Sequence, residues 1–218
     1  MSCSPQPYQI VKLNDQEIIA TDVELLDPRR STVYRLKLKL ASHQNVIPDM
    51  ATSVIVKQQK DGWEEEFEVE KMAYNRLAQL QGEVIPYFYG QGSFNGLPAI
   101  VLSDIDGIAP DYLARSSNDE ISEDSLEAYL EKVFREFSKC GVLYRDQKLD
   151  SFLLCYDKDR RHGKVMVVDL EQVEFPSEVL PWQYGINQEG ARSLMEEFKH
   201  QRNPTRESPP LELWKCAY

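Results

Sequence analysis

The spacing of apolar residues along the chain changes period several times, and each change marks an element. Val33 to Leu40 (Val-Tyr-Arg-Leu-Lys-Leu-Lys-Leu) alternates with period two. That predicts a half-buried strand with Arg35, Lys37 and Lys39 toward solvent. Glu17 to Leu26, closed by the turn signal Asp27-Pro28-Arg29-Arg30, precedes it, and Ser53 to Gln58 follows a polar loop. Together they predict three antiparallel strands. The period then becomes helical. Trp63, Phe67, Tyr74 and Leu77 share one stripe, Asp61 and Glu64 form a capping-box-like pair, and Glu64 to Glu66 complement the dipole of a first turn. The missing position in that stripe is Glu70. A carboxylate in an apolar face is costly unless it is paired.

Two further strands are expected around Val84 to Tyr89 and Leu97 to Leu102, joined by a glycine-rich stretch. A linker follows at Ser103 to Gly107. Residues 122–140 predict a second clear helix, with Ser122 as cap, Ile121 and Leu126 as a hydrophobic staple and Gly141 as the stop. Its buried stripe is Leu126, Leu130, Val133 and Phe137. Asn187 to His200 predicts a last helix. A proline-containing loop from Asn203 to Pro210 and a short apolar tail from Leu211 complete the chain. There is no internal repeat.

Composition narrows the function classes. Formal net charge is −11, which argues against non-specific nucleic-acid binding and against an anionic membrane surface. No stretch approaches the roughly 20 apolar residues of a membrane span, and Met1 to Gln9 has no apolar signal core. Cys3, Cys140, Cys155 and Cys216 show no metal spacing and read as free thiols of a reducing compartment. The expected location is the cytoplasm, with the nucleus left open. His43, His162 and His200 are scattered and are given no catalytic part.

The candidate chemistry lies in Tyr144-Arg145-Asp146-Gln147-Lys148-Leu149-Asp150-Ser151 and in Val165-Met166-Val167-Val168-Asp169-Leu170-Glu171. Phosphoryl transfer of the kinase type needs two such acidic residues. One carboxylate accepts the proton of the attacking hydroxyl, and one holds Mg²⁺ on the ATP phosphates. It also needs a strand Lys for the phosphates and a helix Glu to hold that Lys; Lys57 and Glu70 stand in the right order. Other readings exist for each residue. Lys57 and Glu70 read also as a structural salt bridge, Asp146 as a loop-bracing carboxylate, and Asp169 as a turn former at a strand end.

On these residues, from about 53 to 176, the chain resembles the protein-kinase-like superfamily, and within it a group of small fungal kinase-like proteins. Lys57 in Val54-Ile55-Val56-Lys57 looks like the kinase strand Lys. The segment from Gln58 to Gly90, with Trp63, Phe67, Glu70, Tyr74, Leu80-Gln81-Gly82 and Ile85-Pro86, is similar to the Lys-pairing helix and next strand of those proteins. Val101 to Ile108 looks like their hinge. The resemblance implies Leu102 as gatekeeper and backbone groups of Ser103 and Ile105 for adenine. Tyr144-Arg145-Asp146 stands for His-Arg-Asp, and Asp169-Leu170-Glu171 for Asp-Phe-Gly, a motif that commonly ends in Glu in that group.

Three departures stand out. Tyr144 replaces a His that mainly braces the loop. Ser151 replaces a metal-binding Asn and is a poorer Mg²⁺ ligand, with Asp150 beside it as a substitute. No glycine precedes Gly62, so Asp27 to Ser31 stands where a glycine-rich phosphate loop would be, and Arg29 and Arg30 offer charge without close backbone approach.

The expected fold is α+β, a two-lobed kinase-like arrangement. Residues 1–104 form a β-rich N-lobe with one helix, and residues 105–218 form a reduced, mostly helical C-lobe. Roughly 50 residues follow Asp169, too few for the activation segment and helical platform that resemblance to ordinary protein kinases requires. A small-molecule or unusual protein acceptor is thus expected at least as readily as a peptide. The resemblance implies an ATP- and Mg²⁺-dependent phosphotransferase acting on an unknown hydroxyl. Asp146 would be the base, Lys148 would neutralise the transferred phosphate, Asp169 and Ser151 would hold the metal, and Lys57, braced by Glu70, would hold the phosphates. The alternative is a pseudokinase, a nucleotide-binding or interaction scaffold without efficient transfer.

Overall fold

A computed structural model describes residues 9–26, 32–39, 46–116, 122–157, 163–178, 180 and 183–204. The Asp27–Ser31 turn, the staple residue Ile121, Trp182 and the C-terminal tail lie outside these residues.

Six antiparallel strands close into a barrel: β1 Gln9–Leu13, β2 Gln16–Leu25, β3 Val33–Leu38, β4 Ser53–Gln58, β5 Phe88–Phe94 and β6 Leu97–Ser103. Their order around the barrel is β1-β2-β3-β4-β6-β5, and β1 completes the ring by pairing Val11 with Phe94. Alternation sorts the side chains. Val54 and Val56 of β4, with Ala99 and Val101 of β6, point into the barrel core together with Leu13, Ile18, Leu36 and Phe94. Ile55 of β4 and Ile100 and Leu102 of β6 belong to the other face.

That other face opens onto a second, larger core. It is built from α1 Glu64–Arg76, α2 Pro110–Arg115, α3 Glu123–Lys139, the hairpin of β8 Phe152–Tyr156 and β9 Gly163–Val167, and α4 Tyr184–Arg202. Helix α3 buries the expected stripe, with Phe134 added. Ser122 caps it by accepting from the Ser125 amide at 3.2 Å, and Gly141 (φ 66°) ends it. A two-residue strand pair, β7 Leu143–Tyr144 with β10 Val173–Glu174, lies beside the hairpin.

Four expectations are corrected. A strand at β1 and a short helix at α2 exist where none is predicted. The fifth strand runs over 88–94 rather than 84–89. Val84 and Ile85 are buried in the preceding turn instead, where apolar packing needs no strand pairing. Its Gly92 is required, since a Cβ there would lie 1.7 Å from the carbonyl oxygen of Lys12 on β1. Finally, α1 starts without the Asp61–Glu64 capping box. Glu64 instead accepts from the Gly62 amide at 3.2 Å, and Trp63 sits at the cap position, partly exposed.

Candidate active site

Strand β4 delivers Lys57 on the same outward face as Ile55, and α1 delivers Glu70 one turn beyond Phe67, in a face otherwise apolar. Both are buried. Lys57 Nζ lies 2.5 Å from Glu70 Oε1 and 3.4 Å from Asp169 Oδ1, and it donates to the Val168 carbonyl at 3.3 Å. The same Glu70 oxygen accepts the Leu170 amide at 3.3 Å. One carboxylate therefore ties the helix, the sheet and the Asp169 turn together. Burial pushes the Glu70 carboxyl up to about 7 against the pull of Lys57. Burial works to lower the Lys57 ammonium, but Asp169 and Glu70 outweigh it and hold it well above its usual value.

Tyr144, the residue standing for the usual His, donates its phenol to the Asp169 carbonyl at 3.1 Å. Burial keeps that phenol well above its ordinary range, so it remains a donor. Its backbone amide donates to Asn187 Oδ1 at 3.1 Å, and Asn187 also donates to the Val142 carbonyl at 2.6 Å, so α4 holds the loop from behind. Arg145 grips Glu174 with two guanidinium nitrogens, one of them at 3.0 Å.

The loop between β7 and the 3-10 turn Leu149–Ser151 carries the second acidic residue. Asp146 pairs with Lys148 Nζ at 2.6 Å through one oxygen. Through the other it accepts from the Ser151 hydroxyl at 3.4 Å. Ser151 is buried beneath the loop, and its hydroxyl is turned to Asp146.

Two cavities meet at Asp169. One, about 620 Å³, has Val33, Ile55, Leu102, Leu153 and Val168 as apolar walls, and includes Ser103, Ile105, Lys57 and Asp150. The other, about 740 Å³, includes Asp146, Lys148, Glu171, Lys60, Trp63 and Tyr34. The structure thus brings Lys57, Glu70 and Asp169 into contact, gathers Leu102, Ser103 and Ile105 around the first cavity, and sets Asp146 and Lys148 on the second.

Several residues that matter to this geometry escape the sequence. Lys60 binds both oxygens of Glu171, at 2.6 and 2.7 Å. Asp104 accepts from Arg35 Nε at 2.9 Å and Ser53 Oγ at 2.7 Å, which pins the hinge to β3 and β4. Leu153 and Val168 have apolar character that reads only as strand. Nothing local signals the Lys60 pair, since its partners are 111 residues apart.

The donor set suits a hard divalent cation. Carboxylate oxygens of Glu70, Asp169 and Glu171 lie within 4.8 Å of one another. Lysines hold Glu70 at 2.5 Å and Glu171 at 2.6 Å, whereas Lys57 reaches Asp169 at the longer 3.4 Å, so Asp169 is the residue that would carry Mg²⁺, the remaining ligands being phosphate and water oxygens.

No family model matches the chain, and no curated protein matches it. Among the described residues no helix is long and apolar enough to cross a membrane. Solved structures do match. A double-mutant form of the Mycobacterium tuberculosis PknI kinase domain superposes with a TM-score of 0.59 at 14% identity, over 95% of this chain and 82% of that one. The unmutated PknI kinase domain gives 0.56 at 15%, over 88% and 77%. At such identity the likeness shows architecture alone: this chain has a protein-kinase-like fold.

Proposed function

We propose that the chain is an ATP- and Mg²⁺-dependent phosphotransferase with a hydroxyl acceptor. Residues to about 104 act as its N-lobe, and the rest as a reduced C-lobe. The observation that carries this reading is the position of Lys57 Nζ, buried between Glu70 and Asp169 where the two cavities meet.

ATP with Mg²⁺ supplies a transferable phosphoryl group with its charge partly neutralised. The chain supplies the rest. Apolar walls from Ile55, Leu102 and Leu153 take the base, with the Ser103 carbonyl and the Ile105 amide as its polar contacts. Lys57, held by Glu70, binds phosphate oxygens, and Asp169 holds the metal. Asp146 accepts the acceptor's proton. Lys148 leaves Asp146 to meet the charge on the group in transfer. Ser151 positions Asp146 through its hydroxyl. The free thiols Cys140 and Cys155 suit a cytoplasmic setting.

A pseudokinase is the second reading, favoured by one observation: Ser151, buried beneath the loop, brings neither a carboxamide nor a carboxylate oxygen to the second metal position. Thermal stabilisation by ATP separates the two. Phosphotransfer requires a shift that depends on Mg²⁺ and disappears in Asp169→Asn, together with ATP turnover that falls in Asp146→Asn. A shift indifferent to metal, with no turnover, is the pseudokinase result.

A further inference from the structure

The second cavity adjoins the proposed base and narrows the acceptor. Its volume, about 740 Å³, is that of a small-molecule site. Among the described residues, the chain beyond Asp169 forms no long extended segment on which a peptide could lie. It pairs back onto the catalytic loop at once, Val173 against Tyr144 and Glu174 against Leu143, and α4 opens at Tyr184. Recognition must therefore come from the walls of the cavity.

Those walls combine two aromatic rings with neutral carboxamides. Trp63 is 42% exposed although it is large and apolar, and Tyr34 of β3 and Leu97 of β6 line the same cavity. Gln59, Asn95 and Gln172 supply paired donors and acceptors. Aromatic faces take the C–H surfaces of a saturated ring or chain, and planar amides bond to its hydroxyls. Charge excludes other classes. Asp61, Asp146, Asp169 and Glu171 outnumber Lys60 and Lys148 around the cavity, so an anionic acceptor is disfavoured.

We propose that the acceptor is a small, uncharged polyhydroxylated molecule of the sugar or polyol class, bound between Trp63 and Asp146. This rests on the phosphotransferase reading. In the step, the acceptor hydroxyl gives its proton to the Asp146 carboxylate, and its oxygen bonds to the γ-phosphorus. The bond from that phosphorus to the β–γ bridging oxygen breaks, ADP leaves with the electron pair, and the proton passes to water.

The full chain is incubated with γ-labelled ATP and Mg²⁺ against hexoses, pentoses, hexitols and inositol, and separately against a Ser/Thr/Tyr peptide pool. Label is expected on a member of the first set. Trp63→Ala and Gln59→Leu should each raise the KM for that member about tenfold, with the Mg²⁺-dependent stabilisation by ATP retained. Label on peptides alone overturns the proposal, as does an acceptor KM that neither variant moves. Mg²⁺-dependent stabilisation with no labelled product from either set also sinks it, while the nucleotide reading stands. Loss of that stabilisation in the wild-type chain would instead remove the phosphotransferase reading beneath it.

Discussion

Two ion pairs of nearly equal length flank Asp169 and differ in their surroundings. Lys57–Glu70 measures 2.5 Å with side chains 10% and 1% exposed; Lys148–Asp146 measures 2.6 Å with side chains 58% and 11% exposed. Distance does not rank them, because Coulomb energy scales inversely with the local dielectric and water screens the exposed lysine. The buried pair is a structural element as well as a chemical one. Without Lys57 the Glu70 charge would be uncompensated, and without Glu70 the lysine would be left with the longer 3.4 Å contact to Asp169, so the pair is made once, on folding, and kept. The exposed pair is cheap to open. This contrast suits a site in which one lysine must be fixed beforehand while another must move when substrates arrive.

The comparison breaks most visibly at Glu70. Glu70→Ala leaves Lys57 buried without its closest carboxylate, and is expected to lower unfolding free energy in urea by about 3–5 kcal/mol. The double variant Lys57→Met/Glu70→Leu should recover most of that loss, because two apolar side chains replace two charges in a dry site. It should nevertheless show no thermal shift with ATP and Mg²⁺. A double variant as unstable as Glu70→Ala would mean that shape, and not charge, holds α1 against β4.

Lys60–Glu171 sits between the extremes in burial, at 2.6 Å. Lys60 also lies 5.1 Å over the Trp63 ring. Lys60→Ala is expected to cost about 1–2 kcal/mol in the same assay, more than an exposed pair and less than the buried one. A loss equal to that of Glu70→Ala would remove burial as the ordering variable.

What the sequence discloses follows the same division. Glu70 is legible because it breaks an apolar stripe, and Lys57 because it ends an apolar strand; each is a local anomaly that folding must resolve. Asp169 and Asp146 are legible from residue type and order. The partners that set the geometry are not. Lys60 meets Glu171, and Arg35 meets Asp104, across separations that no periodicity encodes. Closure of the barrel is equally distant, since β1 pairs with β5 some 80 residues on, and β5 is too rich in glycine to resemble a strand. Its turn was nonetheless readable. Asn95-Gly96 has both residues at positive φ, 50° and 80°, the conformation that such a dipeptide favours in a two-residue hairpin. Asn14 and Asp15, at 48° and 65°, make the corresponding turn between β1 and β2.

Tyr144→Phe sharpens the scale with a neutral bond at a buried place. It removes the donor to the Asp169 carbonyl and the phenol's contact with the Ser151 hydroxyl, and leaves the ring, which packs edge-on to Phe152 at 5.8 Å. The expected loss is about 1 kcal/mol by denaturant titration. A value above that of Lys60→Ala would place the phenol, rather than the ion pairs, as the main support of the Asp169 turn.

Lys148→Ala is the smallest expected change in stability and the most informative about function. More than half of its side chain faces water, so the pair with Asp146 contributes little to folding, and the variant should match wild type to within about 0.5 kcal/mol. Removing it should still slow ATP turnover, because the lysine's proposed work is done only after it leaves Asp146. Lys148→Arg, which keeps the charge, should restore part of the rate. An unchanged rate in both variants would assign the pair to loop bracing alone. A large loss of stability would show that the exposed pair and the buried one are not, after all, different in kind.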